Sequence, residues 1–198
     1  MDKKEIKAFF DSLADSWDND MIKIQWKIDR ILDVAEVTEG KSVLDVACGT
    51  GILIQDYINR KVGKCVAVDI SERMVEIAKS KFGEHENIEF ICADAEHLKS
   101  DKEFDCAVVY NAFPHFANRK LLFERLSKNL KSNGRITIAH GMSRESLIKH
   151  HSGSAKSIST ILPEPDKLAE IMNPFFDVDI RISTDEMYIV SGIKRNLL

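Results

Sequence analysis

The sequence predicts an α/β protein built around a mostly parallel sheet. From residue 41 onward, short apolar runs rich in β-branched residues alternate with stretches of helical periodicity. The runs at 42–48, 65–70, 88–94, 104–110 and 135–140 have the length and composition of strands buried on both faces. Strands that alternate with helices pair in parallel through right-handed crossovers. We therefore expect these five strands to lie in one sheet.

The remaining elements follow from periodicity and from residues that start or stop helices. Apolar residues at helical spacing predict two helices at 5–17 and 24–35, before the first strand, and another at 51–60. Ser71 is placed to cap a helix that Gly83 closes, and a helix from 118 is expected to end at Asn133-Gly134. After a polar insertion, a helix at 165–175 precedes two strands, 177–183 and 187–194, which a "TDE" turn joins into an antiparallel hairpin.

Composition narrows the class of protein. A length of 198 residues suits a single domain, 1–198, and the 28 basic and 32 acidic residues give a net charge of −4. Without a basic cluster a nucleic-acid surface is disfavoured, and no apolar run approaches the roughly 20 residues of a membrane span. The first ten residues lack a signal-peptide core, and the four cysteines have no C-x-x-C spacing. We expect a cytoplasmic protein with reduced thiols.

The stretch "SVLDVACGTGIL" joins the first strand to a glycine loop, Gly49-Thr50-Gly51. Such loops bind nucleotides, but Ile54 stands where the dinucleotide pattern G-x-G-x-x-G has its third glycine. Asp45, inside the strand, would also repel a diphosphate. A ligand with positive charge fits better, and S-adenosylmethionine carries an ammonium and a sulfonium without any phosphate.

Two further carboxylates follow the next strands. Asp69 closes "VAVDIS" and Asp94 follows the third strand in "CADAEHL". The carboxyl ends of parallel strands meet at the edge where α/β sheets bind ligands. Asp69 is suited to accept from ribose hydroxyls, and Asp94 from an adenine amino group with the Ala95 amide beside it. Each alone could be a helix cap or a turn residue; together with Asp45 and the loop they predict a pocket.

The motifs "VLDVACGTG", "VAVDIS" and "FICADAEHL" resemble, in this order, those of class I S-adenosylmethionine-dependent methyltransferases. The resemblance is to the ubiquinone/menaquinone-type group of small-molecule enzymes, and it extends from about residue 9 to the hairpin. The first motif is usually D/E-x-G-x-G-x-G, and Ala47 replaces its first glycine. The resemblance implies a Rossmann-like, seven-stranded, mostly parallel sheet with helices on both faces and a C-terminal antiparallel hairpin.

The resemblance also implies a division of the chain and a set of cofactor contacts. Residues 1–38 would form a helical lid, 41–140 the cofactor-binding core, 141–165 a substrate lid, and 166–198 the last helix and hairpin. S-adenosylmethionine would be bound by Trp17, Asp45, Ala47, Gly49, Thr50, Gly51, Asp69, Ile70, Met74, Asp94, Ala95 and Asn111.

The methyl acceptor is expected beyond the fourth and fifth strands. The stretch "YNAFPHF" departs from the N/D-P-P-Y/F pattern of amino-group methyltransferases for DNA bases or protein glutamine. Asn111, His115, His140 and His151 are predicted to line the acceptor pocket, with the histidines catalytic. A histidine suits removal of a proton from a thiol, phenol or acidic carbon. Three histidines could instead bind a metal, which their spacing favours less, or be polar loop residues without a role.

The sequence thus favours a methyltransferase for a small-molecule acceptor, acting as a monomer or homodimer. Two alternatives remain open. One is an NAD- or flavin-dependent reductase on a related fold, against which Asp45 and the missing third glycine count. The other is a module that binds S-adenosylmethionine without turnover.

Overall fold

The computed structural model describes residues 2–19, 21–99, 103–150 and 158–196. Its centre is a seven-stranded sheet with the strand order β3-β2-β1-β4-β5-β7-β6. The strands are β1 (Ser42–Val46), β2 (Lys64–Asp69), β3 (Ile88–Cys92), β4 (Phe104–Tyr110), β5 (Leu130–His140), β6 (Phe176–Ser183) and β7 (Tyr188–Lys194). The first five strands pair in parallel, and β7 is antiparallel to both β5 and β6. The predicted fold class is confirmed.

Helices cover both faces of this sheet. They are α1 (Lys3–Leu13), α2 (Gln25–Val34), α3 (Ile54–Asn59), α4 (Glu72–Phe82), α5 (Arg119–Asn129), α6 (Arg144–His150) and α7 (Pro165–Met172). One buried layer contains Phe123 of α5 and Met172 of α7, and the other contains Ile28 of α2 and Tyr57 of α3. Side chains that alternate along each strand fill the two layers in turn.

Local side chains explain where several helices begin. Asp2 accepts from the Lys4 amide at the start of α1, and Ser71 accepts from the Met74 amide at the start of α4. Such caps satisfy amide groups that have no partner within the helix. The Ser71 cap was predicted from the sequence.

Several expected helices end earlier than the periodicity suggested: α1 ends at Leu13 instead of residue 17 and α7 at Met172 instead of residue 175, and two others differ for clear structural reasons. The helix expected to end at Asn133-Gly134 ends at Asn129, because Leu130 is extended and pairs with Phe104 of β4. The helix expected at 51–60 begins at Ile54, because Gly51 has a φ of +90°. In both places tertiary pairing or a turn overrides helical periodicity.

Strand order positions the candidate site. Asp45 of β1 lies between Ala67 of β2 and Val108 of β4 in the two parallel ladders. The crossovers from β1 lead towards one edge of the sheet and those from β4 towards the other, so the helices diverge beyond the ends of β1 and β4. Ligands of open α/β sheets bind in the crevice that this divergence leaves.

Gly51 offers a test of this local packing. A Cβ at residue 51 would lie 3.0 Å from the Phe82 ring and 3.2 Å from the Ile54 side chain, at a φ that L residues rarely adopt. We expect Gly51→Ala to lower the free energy of unfolding by about 2–4 kcal/mol, the sum of backbone strain and overpacking. Urea denaturation measures the loss.

Gly40→Ala is the matched control, because Gly40 also has a positive φ, +78°, but no atom within 4 Å of the added Cβ. It should cost only the backbone strain, roughly 1 kcal/mol. Equal losses in the two variants would contradict the packing role given to Gly51.

Candidate active site

A cavity of about 630 Å³ lies at the carboxyl edge of β1, β2, β3 and β4. Its volume falls within the roughly 300–1,000 Å³ typical of small-molecule sites. The walls come from the loops that follow these strands, and α1 with the turn after it supplies another side. Lining residues extend along the chain from Lys3 to Met142, so sequence segments more than a hundred residues apart meet around one space.

The glycine loop after β1 forms the floor. Ala47, Gly49 and Gly51 all have positive φ, so the chain reverses direction within five residues. The Gly49 amide donates to the Asp69 carboxylate at 2.9 Å, and the Thr50 hydroxyl donates to Asp18 at 2.6 Å. The loop is thereby fixed to β2 and to the segment that follows α1.

Asp69 combines two tasks at the end of β2. Its carboxylate accepts from the amides of Gly49 and Ser71, both at 2.9 Å, while the residue lines the cavity. Burial raises the pKa of Asp69, although the two amide bonds favour its charged form. A carboxylate oxygen can accept more than one hydrogen bond, so both oxygens keep capacity for a ligand's hydroxyl groups.

Asp94, after β3, forms an ion cluster with α1. Lys3 contacts the Asp94 carboxylate and lies 2.7 Å from Glu96, which is almost fully buried. His97 adds a contact of 2.8 Å to Asp94. Burial works to raise the pKa of Asp94, but the bonds from Lys3 and His97 hold it below its ordinary value. Asp94 is thus an anion, and Lys3 joins the first turn of α1 to the cavity wall.

Asp45 lies behind the cavity rather than on its wall. It is 2% exposed, and its Oδ2 atom has no hydrogen-bond partner among the described residues. Burial, together with the charge of nearby Asp69, raises the pKa of Asp45 to about 7. Asp45 therefore gains a proton readily, and a positive charge that binds beside it would lower its pKa and favour the ionised form.

Aromatic rings line the cavity beneath α1. The ring of Phe10 packs edge-on against both Trp17, at 5.7 Å between centroids, and His115, at 5.0 Å. All three residues line the cavity. Met21, Ile22, Phe116 and Met142 add further apolar side chains to the cavity lining.

Polar groups at the carboxyl end of β4 also line the cavity. Tyr110 and Asn111 both line the cavity, and the Asn111 side-chain oxygen accepts from the Gly141 amide at 3.0 Å. A Cβ at residue 141 would lie 2.6 Å from the Tyr110 hydroxyl, so only glycine leaves room for it. Burial raises the pKa of Tyr110, which keeps its hydroxyl protonated as a donor.

The three histidines predicted together are not brought together. His115 lines the cavity, and burial lowers the pKa of its imidazole. His140 does not line it: the side chain is fully buried and packs edge-on against Tyr188 at 6.2 Å. Alternation along β5 places residue 140 on the same face as Ile136 and Ile138, inside the core layer of α5 and α7. The prediction of His140 at the acceptor is wrong for this reason. His151 lies outside the described residues.

All but two of the predicted cofactor contacts line the cavity. These are Trp17, Ala47, Gly49, Thr50, Asp69, Ile70, Met74, Asp94, Ala95 and Asn111. Asp45 and Gly51 do not, because Asp45 is buried beneath the loop and Gly51 turns towards Phe82. The sequence did not predict Lys3, Glu96 and Tyr110 as lining residues. Lys3 and Asp94, which contact each other, are 91 residues apart in the chain, so no local pattern indicates their contact.

Two features are absent from the described residues, 2–19, 21–99, 103–150 and 158–196. No helix among them has the length and apolar character needed to cross a bilayer. Within the same part of the chain, no three histidine, cysteine or acidic side chains form a group that could hold a metal ion.

The pKa of Asp45 predicts how stability varies with pH. The folded protein holds a proton on Asp45 up to about pH 7, whereas the unfolded chain releases it near the ordinary value of 3.8. Stability is therefore lost as pH rises between these two values. Asp45→Asn removes the titration, so we expect its unfolding free energy relative to the native protein to be higher at pH 8 than at pH 4.5. Urea denaturation at both pH values tests this, and a difference that does not change with pH would contradict it.

Comparison with known proteins agrees with the motifs. Residues 43–134 match the model of a methyltransferase domain. The chain is 28% identical to malonyl-[acyl-carrier protein] O-methyltransferase 1 of Ilyobacter polytropus, over 96% of this chain and 72% of that protein. It is 31% identical to the ubiquinone/menaquinone biosynthesis C-methyltransferase UbiE of Hahella chejuensis, over 69% of this chain and 59% of that protein.

The chain spans between 48% and 72% of the length of curated relatives of these two kinds. Among solved structures, the magnesium protoporphyrin IX methyltransferase of Synechocystis with bound SAH has the same fold, with a TM-score of 0.73 and 18% identity over 98% of this chain and all of that one. On the motifs, the fold and these relatives, residues 43–134 form a methyltransferase domain, and the chain is similar to the class I S-adenosylmethionine-dependent methyltransferases of the ubiquinone/menaquinone-type group.

Proposed function

We propose that this protein transfers a methyl group from S-adenosylmethionine to a small-molecule acceptor that has an apolar body. One observation carries the proposal. The carboxyl ends of four adjacent parallel strands surround one cavity, whose lining combines a glycine loop and acidic groups with apolar side chains. Such an arrangement fits a charged cofactor beside a less polar reactant.

The residues present fit S-adenosylmethionine better than a phosphorylated cofactor. Lys3 is the one lysine or arginine among the described residues that line the cavity, and it already contacts Asp94 and Glu96. A diphosphate would meet Asp69, Asp94 and Glu96 with little compensating charge. A cationic ligand would instead lower the electrostatic cost of these carboxylates. This distinction favours a methyltransferase over the NAD- or flavin-dependent reductase.

Each wall then has a role when the cofactor is bound. Asp69 would accept from the ribose hydroxyls, Asp94 and the Ala95 amide would bind the adenine edge, and the loop at Gly49 would lie against the amino-acid part. The cofactor supplies a methyl group on a sulfonium, which is an excellent leaving group. The chain's own contribution is to align the acceptor, exclude water and remove a proton where the nucleophile carries one.

His115 is the group suited to remove that proton. It lines the cavity as part of the row of aromatic rings, packed against Phe10, and its lowered pKa keeps the imidazole neutral at physiological pH. A neutral imidazole has one nitrogen with a lone pair, which is what a general base needs. The Tyr110 hydroxyl and the Asn111 amide would orient an oxygen of the acceptor.

Binding of S-adenosylhomocysteine tests the cofactor assignment without any acceptor. Calorimetry should detect S-adenosylhomocysteine and not NAD. Asp69→Asn should weaken the affinity about 10- to 100-fold, because charge-assisted bonds are worth roughly 1.5–3 kcal/mol. Glu76→Gln, an exposed position on α4 paired with Arg73, is the control and should leave the affinity unchanged. Binding of NAD at the same site would exclude the proposal.

Replacement of His115 tests the base. Release of S-adenosylhomocysteine would first be screened against thiols, phenols, amines and quinol precursors to find an acceptor. With it, His115→Gln should lower kcat by roughly 10²–10⁴-fold without changing cofactor affinity. His85→Gln, in the turn after α4, serves as the control.

The pH profile gives a second measurement. A base acts when deprotonated, so kcat should rise with pH through the pKa of His115, and burial places this rise below the ordinary value of 6.5. The limb should be missing in His115→Gln. A variant with native kcat and an unchanged profile would remove His115 from the mechanism, and cofactor binding without turnover for any acceptor would favour the non-catalytic module.

A further inference from the structure

The tautomer of His115 is fixed by a carbonyl from a distant segment. The Nδ1 atom lies 3.0 Å from the Ile158 carbonyl oxygen. A carbonyl oxygen accepts hydrogen bonds and never donates, so Nδ1 must carry the proton. In the neutral imidazole the lone pair is then on Nε2. The choice between the two ring nitrogens is therefore made by residue 158.

The Ile158 carbonyl begins the segment of residues 158–163, which we term the strap; its residues 159–163 lie outside helices and strands. Thr160 ties the strap to the turn that carries His115. Its amide and its hydroxyl both donate to the Pro114 carbonyl, at 2.8 Å and 3.0 Å. Pro114 immediately precedes His115. These two hydrogen bonds from Thr160 to the Pro114 carbonyl therefore fix the strap next to the imidazole.

Three other elements bind the rest of the strap. Arg119 of α5 donates to the Ile161 carbonyl at 3.0 Å and also contacts the Thr160 hydroxyl. Arg144 of α6 donates to the Leu162 carbonyl at 2.9 Å, and the Tyr188 hydroxyl of β7 donates to the Pro163 carbonyl at 3.1 Å. Residues 161–163, which belong to no helix or strand, thus satisfy their carbonyls through side chains of neighbouring elements.

Arg119 joins the strap to the core below His115. Its guanidinium lies over the ring of Phe113, 5.0 Å from the centroid, and Phe113 begins the short turn that ends at His115. Arg119 is the charged side chain bound to the strap beside His115, and Phe10 of α1 packs against the imidazole with an uncharged ring. One arginine thus contacts both the strap and the turn.

We propose that the strap is the positioning element of the reaction: its Ile158 carbonyl fixes the proton of His115 on Nδ1, and Thr160 and Arg119 hold that carbonyl in register. The proposal rests on the proposed function of His115 as a base, since it explains why Nε2 is the basic nitrogen. Thr160 and Arg119 are positioning residues that act through His115 and do not touch the reactants.

Nitrogen NMR on the full chain, labelled with ¹⁵N-histidine, tests the tautomer without an acceptor. The signal of His115 is assigned by its absence in His115→Gln. In the native protein the shifts should show a protonated Nδ1 and an unprotonated Nε2 at pH 7.5. A protonated Nε2 would overturn the proposal directly.

Variants of Thr160 and Arg119 test the positioning. Thr160→Val removes one of the two donors to Pro114 while keeping the side-chain shape, and Arg119→Met removes the guanidinium. Each should give a mixture of tautomers and lower kcat about 3- to 30-fold, with the KM for S-adenosylmethionine unchanged. Thr160→Ser keeps the hydroxyl and should restore both the native tautomer and kcat. Native shifts in both Thr160→Val and Arg119→Met would also overturn the proposal.

Thr184→Val is the matched control, because the Thr184 hydroxyl also binds backbone groups, in the turn between β6 and β7, away from His115. It should lower stability without changing the His115 tautomer. If Thr160→Val does not fold, the native spectrum and Arg119→Met still decide. If no acceptor is ever methylated, the proposed function fails, while the NMR result continues to test the role of the strap.

Discussion

The burial of carboxylates at the ends of β1 and β2 is the constraint on which the rest of the site depends. Asp45 and Asp69 are both nearly inaccessible, and the charge of Asp69 adds to the cost of ionising Asp45. A buried anion without partners is strongly unfavourable, so each carboxylate must be hydrogen-bonded, paired or protonated. Asp69 is bonded to two amides, and Asp45 has a pKa near neutrality. The two groups meet the same constraint by different means.

Much of the surrounding structure answers this concentration of negative charge. The glycine loop turns its Gly49 amide onto Asp69, which requires the positive φ found at that residue. Lys3 of α1 compensates Asp94 and Glu96. The same ion pairs therefore shape the cavity and hold α1 over it. A ligand with positive charge would offset the remaining negative charge of these carboxylates, whereas a ligand with phosphates would add to it.

Local signals in the sequence predicted the sheet, the glycine loop, and Asp69 and Asp94 on the cavity wall. These features depend on residues near one another in the chain: a strand's composition, the glycines after it and the acid at its end. Features that depend on long-range packing were not predicted. The Lys3 contact to Asp94 and the hydrogen bond that His115 donates to the Ile158 carbonyl each join segments more than forty residues apart. The early end of α5 depends on pairing between Leu130 and Phe104, which periodicity in the helix cannot reveal.

His115 and His140 show how the position of a residue relative to the end of a strand determines where its side chain lies. Both follow or end neighbouring strands at the same edge, which made them equivalent in the sequence. His140 is still part of β5, so strict alternation turns it into the core beside Tyr188. His115 lies beyond β4, in a short turn where alternation no longer applies, and its side chain reaches the cavity. A turn, however, fixes a side chain less firmly than a strand does. The segment at 158–163 supplies the missing constraint, because its backbone binds both the imidazole and the carbonyl just before it. The strand edge thus determines where the histidine lies, and the more distant segment determines which of its nitrogens is basic.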